Sequence, residues 1–290
     1  MDLKLNKQPD GTGMFRYDLI FYLVFTLLFT TYSYANSNSS HANHVASPQF
    51  DETSALAFSQ AAIGKKISDN YSLTRSDGKR IEFSKYLGKP LVVSFIYTSC
   101  YHICPTTTQH LGEVIKKASQ VLGDKSFSVV TIGFDVFNDT PEAMRMFAAQ
   151  QRIDIAQWDF LSADAITIEQ LSKDLGFIFF PSAKGYDHVV QATIVDAEGA
   201  VYRQVYDMNF KTPLLVEPLK ALVFDTTETT PLLTHLENKI RLFCTIYDPS
   251  NDRYIIDYSL FIGLFIGITT MAMVIYFVMK EWKKSGGRAS

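Results

Sequence analysis

The chain is predicted to hold an α/β domain with a mixed central sheet flanked by helices, and three observations carry this. Two apolar, β-branched runs, Leu91–Tyr97 and Phe127–Phe134, each lead into a segment with helical spacing. A later pair, Val189–Val195 and Val201–Tyr206, alternates around Asp196-Ala197-Glu198-Gly199 as a hairpin. A last amphipathic stretch, Leu214–Val223, closes the domain. Strands alternating with helices pair in parallel, and the hairpin adds antiparallel strands to the same sheet.

Taken from the start, Lys4, Lys7 and Arg16 precede an apolar run from Leu19 to Tyr32 and then Ser33-Tyr34-Ala35, a small-x-small site. Residues 1–35 therefore read as an export signal or an N-terminal anchor. Residues 36–60, rich in Asn, Ser, His and Ala, read as a flexible linker, and His41 and His44 within it as incidental. The domain is expected over residues 61–228. Tyr71–Arg75, Ser76-Asp77-Gly78 and Lys79–Phe83 form strand, turn and strand.

After the first buried strand, Leu111, Val114, Ile115, Ala118 and Val121 fall at helical spacing behind Pro105, a residue suited to a first turn. Asp139-Thr140-Pro141-Glu142 opens another helix, running to about Arg152, with a capping residue ahead of a proline. Trp158–Leu161 is a short strand, and Thr167–Leu175 a helix stopped by Gly176. Phe177–Pro181 is apolar, and Lys184–Asp187 is expected as a polar loop.

Residues 229–257 form a juxtamembrane segment. Residues 258–280 match the roughly 20 apolar residues a bilayer-spanning helix needs. Lys280, Lys283, Lys284 and Arg288 follow, so residues 281–290 are expected on the cytoplasmic side and the domain on the other. The net charge of −3 and the lack of a basic stretch argue against a nucleic-acid partner. Cys100, Cys104 and Cys244 are too few for a secreted disulfide scaffold.

Chemistry concentrates at Cys100 and Cys104, on the turn between a buried strand and a helix N-terminus. That end of a helix favours thiolate, the form that binds metal or attacks disulfides. His188, just before the hairpin, is the candidate third partner, with Asp187 as an outer acid that would steady its ring. Two thiolates and one imidazole suit Cu(I), whereas tetrahedral zinc asks for a fourth ligand. His102 reads as a solvated turn residue ahead of a metal contact, His110 as a helix-face residue, and Met208 as packing ahead of a soft ligand. Cys244 reads as a packed or membrane-facing thiol, with a part in copper handover or a mixed disulfide as the alternative that His235 nearby keeps open.

The strand with C-x-x-x-C-P, the D-x-x-x-D-T-P-E stretch from Asp135 to Glu142, and the Asp-His pair before a hairpin resemble the Sco/SenC family over about residues 60–225. The resemblance implies a thioredoxin-like fold, membrane tethering, and delivery of copper to the dinuclear copper centre of cytochrome c oxidase. It assigns copper, as Cu(I) with Cu(II) left open, to Cys100, Cys104 and His188, and gives Asp187 the place of the acidic neighbour. Its partners would be the copper-bearing oxidase subunit and a thiol–disulfide reductant. Val136 departs from the family's D-P-x-x-D-T-P pattern, where a proline stands. A C-terminal span is similar to a bacterial subgroup, with the domain on the periplasmic side of the inner membrane.

Two functions are therefore expected to compete. One is a copper metallochaperone using all three ligands. The other is a thiol–disulfide oxidoreductase that reduces the cysteines of an oxidase subunit, using Cys100 and Cys104 alone. A peroxiredoxin-like peroxidase fits less well, because no arginine is placed to activate a peroxidatic cysteine.

Overall fold

The computed structural model describes residues 50–225 and 245–286. The signal or anchor segment, His41, His44, His235 and Cys244 lie outside the described residues. The elements run α1 (Glu52–Ala61), β1 (Ser72–Arg75), β2 (Arg80–Glu82), β3 (Leu91–Ile96), α2 (Ile103–Leu122), β4 (Ser128–Gly133), α3 (Pro141–Gln150), β5 (Trp158–Ser162) and α4 (Ala165–Asp174). There follow β6 (Phe179–Ser182), β7 (Gly185–His188), β8 (Gln191–Val195), β9 (Val201–Tyr206), α5 (Pro213–Asp225), β10 (Thr245–Asp248), β11 (Arg253–Ile256) and α6 (Ser259–Gly286).

Seven strands form one mixed sheet in the order β2-β1-β5-β4-β3-β8-β9. β3, β4 and β5 are parallel, and β8 runs antiparallel along the other side of β3. All residues of β3, β4 and β8 are buried, as continuous apolar runs predict for central strands. Leu111, Ile115 and Ala118 on the inner face of α2 are almost fully buried, which is why the helix follows its apolar stripe. With its helices, this is a thioredoxin-like fold, as expected.

Two stretches differ from the sequence reading. The expected linker contains α1, capped by Asp51, whose carboxylate accepts from Ser54 N at 2.9 Å. Its composition looks polar, but Ala55 and Ser59 are buried. The buried Gln204 amide donates to the carbonyls of Ser59 at 3.4 Å and Leu175 at 2.9 Å, tying α1 to the sheet edge. The expected polar loop at Lys184–Asp187 is instead strand β7, paired antiparallel with β6. Pro181 and the short polar run hid it, since proline demotes a strand assignment and four residues show little alternation. Gly185, at φ +111°, lets the chain re-enter the strand after Ala183 and Lys184.

The β10–β11 hairpin is clamped to the domain at three points. Lys117 on α2 pairs with Asp252 at 2.5 Å, Lys220 on α5 donates to the Thr245 carbonyl at 2.9 Å, and the Tyr254 hydroxyl donates to Glu217 at 3.0 Å. Residues Phe261–Lys283 of α6 are the one stretch among the described residues long and apolar enough to cross a membrane.

Gly176 provides a test of the α1 contact. Its φ is +70°, and a methyl there would stand 2.7 Å from Ala62 Cβ and 2.9 Å from the Ser59 backbone. Gly176→Ala is expected to destabilise the domain by about 1–3 kcal/mol. The urea midpoint should fall and proteolysis within residues 50–61 should quicken. An unchanged midpoint would mean that α1 is not part of the cooperative unit.

Candidate metal and thiol site

The site is assembled at the carboxyl end of β3, where α/β sheets commonly place ligands. The antiparallel register pairs Leu91 with Val195 and Ser94 with Ala192. Continued past Ser94, that register sets the residues just before β8 beside the exit of β3, and His188 is among them. A long separation in sequence is thus closed by one strand pairing.

Asp139 fixes that exit. It is buried, and it accepts from the Thr98 amide and hydroxyl at 2.7 Å each and from the Asp135 amide at 2.8 Å. Burial pushes its carboxyl upward, against the pull of these donors. Asp135, also buried, accepts from the Asn138 side chain at 2.8 Å and so holds the turn closed. The chain leaving β3 is therefore tied to the loop after β4 immediately before Cys100.

Cys100 occupies the position of a helix cap. His102 precedes α2 without a capping side-chain bond, and the Cys104 amide instead donates to Cys100 Sγ at 3.3 Å. The Cys104 thiol, the Cys104 and His102 amides and the Tyr97 hydroxyl all favour a negative sulfur, and they hold Cys100 well below the ordinary thiol range. Cys104, buried in the first turn of α2, is driven the opposite way by its bond to Cys100 and by burial. The two sulfurs share a hydrogen bond that favours the negative charge on Cys100 and the proton on Cys104. Both are free thiols.

His188 lies at the end of β7 among aromatic rings. The centroids of Phe177, Phe134 and Tyr97 are 5.3, 5.5 and 6.3 Å from its own. Burial lowers its pKa, while the bond to Val189 and the charge on Cys100 pull upward. The ring is therefore held neutral. Its Nδ1 lies 3.0 Å from the Val189 carbonyl, so Nδ1 carries the hydrogen and Nε2 keeps its lone pair. That is the arrangement found behind metal-ligating histidines, the outer partner here being a backbone carbonyl. Asp187 is exposed on the strand and acts on the ring by charge alone.

Cys104 and His188 line the same small cavity, about 20 Å³, with Ile103, Thr107, Thr108 and Gln191 among its other walls. That is room for one water-sized body. Among the described residues, no three His, Cys, Asp or Glu side chains stand close enough together to hold a metal as they are. A three-ligand site would require His188 and the thiol turn to move towards each other. His102 is exposed, and His110 bonds the Phe210 carbonyl at 2.8 Å, as a solvated turn residue and a helix-face residue should. The sequence reading gave no part to Tyr97 or Thr98. Their signal was position, since they end a buried strand next to the cysteines.

Fold and site define a class: a thioredoxin-like domain whose thiol pair is C-x-x-x-C and faces a neutral histidine. The SCO1/SenC family model matches residues 59–223, and the chain belongs to that family. The SCO1 protein homolog of Bacillus subtilis (strain 168) is 27% identical over 154 residues, 49% of this chain and 79% of the relative. Among solved structures, a candidate electron-transfer protein of Aquifex aeolicus VF5 is 26% identical with a TM-score of 0.52, covering 56% of this chain and 94% of that one. BsSco, described as a member of the Sco family of cytochrome c oxidase assembly proteins with a disulfide switch, shares the fold at 22% identity and TM-score 0.50, over 56% of this chain and 95% of its own.

The proton shared within the pair sets the order of thiol reactivity. Cys100 should be alkylated first, and its rate should hold as pH falls from about 8 to about 6, where a thiol of ordinary pKa slows steeply. Cys104 should react only after Cys100 is blocked or the domain is unfolded. Mass mapping of iodoacetamide adducts checks both. Faster labelling of Cys104 would overturn the assignment.

Proposed function

We propose that this protein is a membrane-tethered copper metallochaperone: Cys100, Cys104 and His188 hold Cu(I) as cargo, and the copper-bearing subunit of cytochrome c oxidase receives it. The observation that carries the reading is the neutral His188, its Nε2 free, on the same cavity as Cys104 beside the Cys100 anion. Two soft sulfurs and one imidazole suit Cu(I) and leave zinc short of a ligand. Family membership supports the reading. So does the role in oxidase assembly described for BsSco. Three ligands from separate segments of the chain can be exchanged one at a time, which release to an acceptor requires. The apolar helix α6 would hold the domain at the membrane, with the basic residues after it on the cytoplasmic side and residues 61–228 on the other.

Each of the chain's own groups has a part. Cys100 supplies an anionic sulfur without needing a base. Cys104 would release its proton to solvent on binding the metal. His188 offers its lone pair, and the Val189 carbonyl keeps the ring from turning. Asp139 holds the exit of β3 so that Cys100 stays at the head of α2.

A second reading rests on the unequal thiols. A half-buried, low-pKa Cys100 with a buried Cys104 behind it is also a nucleophile with its resolving partner, as a thiol–disulfide oxidoreductase needs. Copper analysis of the reduced full-length protein separates the two. His188→Ala should weaken copper retention by at least the roughly 10–100-fold that losing even an outer partner costs. The same variant should still reduce a disulfide substrate if the second activity is present. Unchanged copper retention in His188→Ala would remove the carrier assignment.

A further inference from the structure

We propose that Met208 is an outer copper ligand, a station between the Cys100, Cys104 and His188 set and the surface; this rests on the copper-carrier reading above. A groove of about 650 Å³ lies between α1, the His188–Val190 segment and the end of β9, and Glu52, Ile103, His188, Val190 and Met208 are among the residues that line it. The small cavity that holds Cys104 is lined by the same Ile103, His188 and Val190. His188 therefore forms part of the wall between them, with a thiol on its inner side and a thioether on its outer side.

Backbone geometry places Met208 there. β9 pairs with β8 at Gln191 and Tyr206, and the Asp207 amide continues the ladder to the Val190 carbonyl at 3.2 Å. Met208 follows directly, in the turn after β9. Asp207 has φ +89°, a conformation that a residue with a side chain rarely holds. The chain turns there, and Met208 is left half-buried on the groove instead of following the sheet. A thioether is a soft, neutral donor that suits Cu(I), and it lacks the charge that would favour Cu(II).

The step is a ligand exchange without redox change. A bond from Cu(I) to Cys100 breaks as a bond from Met208 Sδ to Cu(I) forms, His188 staying bound. The copper keeps its electrons, and the released Cys100 remains a thiolate. Cu(I) would then be held by Cys104, His188 and Met208 at the edge of an open groove, where an acceptor can replace these donors in turn.

The test uses the reduced full-length protein in detergent, loaded with one equivalent of Cu(I), and a chromophoric Cu(I) chelator as acceptor. Met208→Leu, close to isosteric, should leave the loading at one copper per chain and slow extraction by about tenfold, the kinetic equivalent of losing one weak donor. Met208→Cys, another soft donor, should restore much of the rate. Methyl-labelled methionine adds a direct readout: Ag(I), a closed-shell stand-in for Cu(I), should shift the Met208 signal in Cys100→Ser. Equal extraction rates, or an unmoved methyl signal with copper retained, would overturn the part given to Met208 and leave the carrier reading intact. A wild-type protein that retains no Cu(I) would overturn both.

Discussion

The site depends on the antiparallel pairing of β8 with β3. β3 is the hinge of the sheet, with parallel β4 on one side and antiparallel β8 on the other. Only the antiparallel neighbour begins where β3 ends. Residues entering β8 therefore stand beside the loop leaving β3, and one register aligns the imidazole with the thiols. A slip of one residue would turn His188 to the opposite face, because side chains alternate along a strand. The burial of every residue in β3 and β8 opposes such a slip.

Around that register the fold favours a neutral imidazole and an anionic sulfur, the states that the proposed Cu(I) cargo would need. Aromatic rings exclude water from His188 and hold it neutral, whereas a helix terminus and neighbouring donors hold Cys100 anionic. Low polarity and strong polarity thus act within one site on different atoms. Asp139 mediates between them in space: its carboxylate joins the exit of β3 to the loop after β4, so the thiol turn cannot drift from the helix that stabilises its charge.

Much of this was legible in the sequence because the core strands are long and apolar and the helices carry their own signals. Thr140 caps α3 ahead of Pro141, and Gly176 follows α4, as read. The thiol turn was legible because a strand, two cysteines and a proline in that order admit few local structures. What escaped lacked periodicity. α1 has a weakly patterned face and is held by polar contacts from the distant Gln204 and Tyr206. The β6–β7 hairpin is too short to alternate and carries a proline. The bond from His188 to a backbone carbonyl is invisible in any sequence, since it depends on the conformation of the next residue, and Asp187 was the only partner a string of letters could suggest.

The clamped β10–β11 hairpin has a mechanical consequence. Only Asp257 and Tyr258 separate β11 from α6, and the Asp257 carboxylate accepts from Ser259 N at 2.8 Å. The clamp grips α2 at Lys117, about 20 Å along the helix axis from Cys104. On this side the domain is carried on a bracket rather than a cord. On the carrier proposal, with α6 in a membrane, the clamp and the two-residue link would set how far the sulfurs stand from the foot of α6, and an acceptor would have to present its own ligands at that height.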